Sequence, residues 1–262
     1  MPSRFLPPVA PALAGGLMLA AALLAGSLGL AAPAAAQQST PALDPGQKAA
    51  IEGLIHDYLL AHPEVIVEAV QKLKERQQAA DEARQQQAVK QNLAALRDDP
   101  KDPVLGNPDG DITVVEFFDY QCGYCKHVAP GLQQEVKADG RIRMVMKEFP
   151  ILGPASIVGA KAALAAKRQG KYQAFHWAMM QNKAPLDDKT IYAIAAGVGL
   201  DLDKLKADMA DPAIEKQLSD NYDLAEKLDI RGTPAFVIGD QLVPGALPME
   251  QFRQMVKQAR QG

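Results

Sequence analysis

Asp111-Ile112-Thr113-Val114-Val115-Glu116-Phe117-Phe118-Asp119-Tyr120-Gln121-Cys122-Gly123-Tyr124-Cys125-Lys126-His127-Val128-Ala129-Pro130 is the stretch on which the reading of this chain turns. Its first half is rich in β-branched and aromatic residues and predicts a strand over 112–118. From Cys122 to residue 139 the pattern becomes helical. Cys122 and Cys125 are the only two cysteines in 262 residues, so neither has a further thiol with which to build a framework. A C-x-x-C at a strand-to-helix turn is a setting for dithiol redox chemistry.

The spacing also separates the two sulfurs by role. Free backbone N–H groups and the helix dipole at a helix start favour negative charge, which lowers a thiol there below its free pKa of about 8.5. Cys122 is therefore expected to be the attacking sulfur, and Cys125, one turn deeper, the resolving one. A purely structural disulfide would close too short a loop to stabilise much. A zinc site would need a second C-x-x-C, although His127 is adjacent. No metal and no cofactor are expected; a copper- or zinc-handling role would rest only on His127, Met144 and Met146.

Working outward, a strand over 141–149 completes a strand–helix–strand unit, which implies parallel strands. Helical segments follow at about 155–169, 172–181, 189–196, 203–209 and 213–228. A short strand pair (235–239 and 241–243) and a closing helix over 248–261 end the chain. The sheet is thus expected to be interrupted by a helical insert at about 153–229. Gly232-Thr233-Pro234-Ala235 opens the late strand. A proline there cannot donate to the ladder. A cis Thr233–Pro234 bond beside the C-x-x-C would offer backbone groups to an extended substrate; an ordinary turn proline is the alternative.

Residues 1–36 carry Arg4, a long apolar run and a small-residue site at Ala34-Ala35-Ala36, and are read as a secretory signal peptide. An uncleaved membrane anchor is the alternative. Cleavage leaves about 226 residues. The net charge of −3, one unit more negative without Arg4, argues against a nucleic-acid partner. Residues 37–46 form a polar tether, 47–97 a helical arm, 98–110 a turn-rich linker, and 111–262 the main domain. In the arm, Ile51, Leu54, Ile55, Tyr58 and Leu59 form one apolar stripe. His62-Pro63 breaks the helix, and Val65, Ile66, Ala69, Val70 and Leu73 repeat the stripe. Residues 74–91 are polar all round, with little to bury. Two short stripes make a poor independent core, so the arm is expected to bury them against further copies of itself; a surface arm folded on its own domain is the alternative.

Cys122-Gly123-Tyr124-Cys125-Lys126-His127-Val128-Ala129-Pro130 with the distant Thr233-Pro234 resembles the thioredoxin superfamily. Val115–Tyr120 and the insert after Lys147-Glu148-Phe149-Pro150 are similar to the DsbA family in particular. The arm is similar to that of oligomeric DsbA-like proteins related to ScsC. The resemblance implies an α/β thioredoxin fold with an inserted helical subdomain, preceded by an N-terminal helical arm. It implies a periplasmic thiol–disulfide oxidoreductase acting on unfolded or misoxidised secreted proteins, with a membrane redox partner. Cys122 and Cys125 are then catalytic and Thr233 and Pro234 dock substrate, while Gly123, Tyr124, His127 and Glu116 tune the redox pair. Glu116 would shuttle the proton of the buried cysteine; an edge-strand carboxylate is the alternative. Gly-Tyr between the cysteines, and Thr233 before the proline, resemble the isomerase DsbC more than the oxidase. Isomerase or reductase is therefore the expectation, a DsbA-type dithiol oxidase the alternative, and a non-enzymatic holdase or envelope scaffold the second. His56, His62 and His176 are expected to be packing or surface residues.

Overall fold

The computed structural model describes residues 43–261. The signal and anchor readings, and most of the tether, fall on residues outside this range. Among the described residues no helix is long and apolar enough to cross a membrane. The chain divides into two compact units at His62–Pro63, where the sequence predicts the helix break.

In the first unit, helix α1 (Pro45–Ala61) starts at a capping box. The Gln47 N–H donates to Asp44 Oδ1 (2.8 Å), and the Asp44 N–H donates to Gln47 Oε1 (3.1 Å). Most of its apolar stripe is out in solvent: Ile51, Leu54, Ile55 and Tyr58 are exposed, and Leu59 is half-buried.

The second unit opens with α2 (Glu64–Gln91) and the short α3 (Leu93–Arg97). Ile66, Val70 and Leu73 are again exposed, but Val89 and Leu96 are fully buried. They join a core with Val115, Phe117, Val145 and Val237. The C-terminal end of the arm is thus part of the sheet domain.

Five strands form the sheet: β1 (Val104–Gly106), β2 (Ile112–Phe118), β3 (Ile142–Glu148), β4 (Ala235–Ile238) and β5 (Gln241–Pro244). Their order is β1-β3-β2-β4-β5. β2 and β3 are parallel, with Glu116 opposite Met146 and Phe118 opposite Glu148. β4 runs antiparallel to β2, placing Phe236 opposite Glu116. The crossover from β2 to β3 is α4 (Gly123–Asp139). Between β3 and β4 lie α5 (Pro154–Arg168), α6 (Tyr172–Gln181), α7 (Asp188–Gly197), α8 (Leu202–Met209) and α9 (Pro212–Lys227), and α10 (Met249–Ala259) closes the chain. This is the expected thioredoxin architecture with its helical insert.

β1 lies inside the stretch read as a linker, so the sheet begins before residue 111. It pairs antiparallel with β3, Val104 opposite Val145. Three residues among prolines carry too short a pattern to read as a strand. Gly106 is the local signal: at φ +74°, a Cβ there would sit 2.5 Å from the Ile142 carbonyl oxygen.

Side chains alternate across the sheet. Val114, Phe118, Met144 and Met146 face a core shared with Cys125 and Leu132 of α4. By the same alternation Glu116 and Glu148 point to that face, and Lys147 to the other.

Candidate functional site

Strand β2 delivers the chain to the first turn of α4, and Cys122 is the residue that caps that helix. Its Sγ accepts the Cys125 N–H at 3.2 Å, and its own N–H donates to the Asp119 carbonyl at 3.0 Å. From the other side the Thr233 carbonyl oxygen lies 3.2 Å from Cys122 Sγ, at the cis Thr233–Pro234 peptide. The two cysteines are free thiols, both almost wholly out of contact with solvent.

Their acidities diverge. The Cys122 thiol is brought down to about 6, chiefly by a hydrogen bond from Cys125. Burial opposes that pull, while Thr233 and the Cys125 and Tyr124 N–H groups add to it. Burial pushes Cys125 far above the ordinary thiol range, with the hydrogen bond to Cys122 and the nearby charge of Glu116 adding to the effect. One sulfur is a thiolate near neutrality and its partner holds its proton. That is the asymmetry thiol–disulfide exchange requires.

Asp119 holds this turn in place. Its Oδ1 accepts from Gln121 N–H (2.7 Å) and from the Ser156 hydroxyl (2.7 Å). Its Oδ2 accepts the N–H groups of Ile151 and Leu152, each at 2.9 Å. Gln121 reaches across to Ser156 Oγ (2.9 Å) and the Leu152 carbonyl (3.2 Å). The loop before Cys122 is thereby tied to the loop leading into α5. Asp119 precedes the cysteines in the motif, and nothing in its local sequence marks this role.

Beneath the thiols the sheet carries buried acids. Glu116 is 3% exposed, and burial, followed by the charge on Cys122, raises its carboxyl to about 8. Glu148 is also buried, and burial drives its carboxyl well above the usual range. Its Oε1 accepts from the Tyr172 hydroxyl (2.8 Å) and the Tyr120 hydroxyl (3.2 Å). Tyr120 Oη is also 3.1 Å from His176 Nδ1. With Tyr120 donating to Glu148, the neutral His176 ring donates from Nδ1. Burial lowers His176 to about 3, so it stays neutral at physiological pH. His176 is thus a packing residue, as expected, and also a member of a buried polar chain. Two adjacent charged residues at the end of a strand, Lys147-Glu148, were the available sign of that chain.

The remaining candidates sit around the turn. Tyr124 is exposed and contributes its N–H, and Gly123 has open space where a Cβ would be. His127 is exposed and is not among the groups weighing most on either sulfur. Met144 and Met146 are fully buried in the sheet core. Among the described residues no group of three or more His, Cys, Asp or Glu is arranged to hold a metal ion.

Comparison with known proteins converges on the same fold. Residues 113–257 match the DSBA-like thioredoxin domain family, and residues 47–80 match the N-terminal domain of the copper resistance protein ScsC. A thioredoxin-like oxidoreductase from Silicibacter pomeroyi is 46% identical, with a TM-score of 0.63, over 64% of this chain and 98% of that one. ScsC from Proteus mirabilis, in a transitional conformation, is 31% identical, with a TM-score of 0.63, over 84% of this chain and 99% of its own. A curated relative from Salinispora arenicola, named Na(+)/H(+) antiporter NhaA 1, is 28% identical over 167 residues, which are 63% of this chain. The match spans only 26% of that relative's own length.

Proposed function

The chain belongs to the DSBA-like thioredoxin domain family, and on that premise we propose that it is a thiol–disulfide oxidoreductase of exported proteins. The observation that carries the reading is the split between Cys122, lowered to about 6, and Cys125, raised by burial, across one helical turn. The Cys122 thiolate attacks a client disulfide, forming a mixed disulfide and releasing one client thiolate. Cys125 then gives up its proton and attacks Cys122 Sγ. The second client thiolate leaves, and the enzyme is left oxidised. Glu116, with its carboxyl raised to about 8, takes that proton when in its ionised form, the minority form at pH 7. The Thr233–Pro234 backbone, within 3.2 Å of Cys122 Sγ, aligns the client strand.

Within that chemistry we favour isomerase or reductase over oxidase. A thiol at about 6 lies between thioredoxin, near 7, and DsbA, near 3.5. It therefore supports a poise less oxidising than that of DsbA. The exposed stripes on α1 and the start of α2 support self-association, which would gather several dithiols in one assembly. Periplasmic clients, and a membrane partner that resets the redox state, belong to the same proposal.

Two experiments test this reading. Cys122→Ser removes insulin reduction; retained reduction would sink the assignment. Reactivation of a scrambled-disulfide substrate is compared between a chain starting at Gln37 and one starting at Gln77. The shortened chain keeps Val89, Leu96 and β1, which the sheet domain needs. Reactivation by the longer chain alone supports an arm-assembled isomerase. Failure of both, with oxidation of a reduced substrate intact, supports the oxidase. A holdase would suppress aggregation without either cysteine.

A further inference from the structure

A cavity of about 410 Å³ lies between the end of β3, helix α9 and the loop that leads to Thr233. Its apolar wall is Phe149, Ile151 and Tyr222, and its rim carries Glu226, Asp229 and Arg231. The wall is tied to the thiol site at Ile151, and the rim lies near it along the chain at Arg231. Ile151 donates its N–H to Asp119, whose carbonyl accepts the Cys122 N–H. Arg231 precedes Thr233 by two residues, so its Cα lies within about 8 Å of the Thr233 Cα. The cavity is therefore reachable by a client residue two to four positions from the cysteine that meets Cys122, at about 3.3 Å per extended residue.

The chemistry of the cavity is specific in sign. Arg231 Nε is bound to Asp229 Oδ1 at 2.6 Å, which neutralises that cation. Glu226 has no ion-pair partner among the described residues, so the rim keeps a net negative charge. Tyr222 is 56% exposed, with its ring tilted 47° against Phe149 at 5.8 Å, so part of the aromatic surface stays open. An open aromatic ring beside an unpaired carboxylate is the pairing that holds a guanidinium or ammonium group.

We propose that this cavity is a specificity pocket for a basic side chain of the client, lysine or arginine, near the cysteine under attack. The proposal rests on the exchange reading given above and names the clients that reading leaves open. The apolar stem of the side chain would lie along Phe149 and Ile151, with its charged end between Tyr222 and Glu226.

The test uses the reduced full chain and short peptides bearing one cysteine capped as its glutathione disulfide. Arg, Ala, Leu or Glu is placed two to four positions away, on either side. The Arg peptide should react about fivefold faster than the Ala peptide at low ionic strength, and the gap should shrink in high salt. The Cys122 thiolate also disfavours acidic peptides, so the variants decide the matter. Glu226→Gln and Tyr222→Leu should each remove most of the Arg preference while leaving the Ala peptide rate unchanged. Arg and Ala rates within twofold, a preference for Leu, or an Arg preference that survives both variants would overturn the proposal. If no peptide reacts, the exchange reading fails instead. Fluorescence anisotropy with serine in place of the peptide cysteine still reads the Arg preference, and equal affinities there overturn the pocket.

Discussion

The two faces of the central sheet treat buried charge in opposite ways. On the face turned from α4, Lys147 is 1% exposed and donates to the Ala95 carbonyl of α3 at 2.7 Å and to the carboxylate of Asp102, itself 4% exposed. Gln217 caps the remaining oxygen of that carboxylate (3.4 Å). The charge is matched there, and the pair clamps the end of the helical arm to β3. Burial raises the Asp102 carboxyl too, but Lys147 opposes the rise; on the face turned towards α4, Glu116 and Glu148 are buried with no cation beside them among the described residues, and burial raises both. A buried pair of matched charges penalises the loss of either partner. Unmatched acid beside a thiol keeps a proton available at neutral pH. One face carries the paired charges that join the arm to β3, and the other the raised carboxyls beneath the thiols.

The clamp is where the largest effect is expected. Lys147→Met leaves Asp102 buried and unpaired, and urea unfolding should show a loss of about 3–5 kcal/mol. Adding Asp102→Leu should recover most of it, and exchange activity per folded molecule should barely change. A loss of activity without a loss of stability would blur the division between the faces.

Glu116→Gln acts on the other face and should do the reverse. A carboxyl at about 8 in the folded state, against about 4.3 unfolded, costs stability as pH rises through that window. The cost is absent below pH 4 and complete above pH 8. The variant should therefore match the parent at pH 4 and exceed it at pH 8 by roughly 2–4 kcal/mol, measured on the reduced protein. Release of the mixed disulfide at pH 7 should slow by about tenfold or more. A pH-independent difference in stability would place Glu116 outside the proton inventory.

Tyr172→Phe is the smallest of these changes. It deletes one hydroxyl donor to Glu148, and should cost about 1 kcal/mol while leaving the acidity of Cys122 untouched.

Much of this was legible in the sequence. β2 runs over the residues predicted, and α4 starts within one residue, because β-branched alternation and an N-terminal cap are local signals. The dithiol followed from two cysteines, while the meeting of Cys122 with Thr233 came only with the thioredoxin resemblance. The Lys147–Asp102 clamp was not legible. Asp102 sits among prolines and acids that read as solvated linker, and only its pairing across 45 positions makes it core. Residues 74–91 read as polar all round for a similar reason: the buried Val89 lies at the far end of a helix whose earlier turns are exposed. Asp119 was hidden because its four acceptor bonds go to groups up to 37 residues away.

The most direct test of the account is the titration of the reduced protein, followed by thiolate absorbance and by the pH dependence of alkylation at each cysteine. A single reactive sulfur, Cys122, should titrate with a midpoint near 6, with Cys125 unmodified across the neutral range. A Cys122 midpoint near the free value of about 8.5, or equal alkylation of both cysteines, would contradict it.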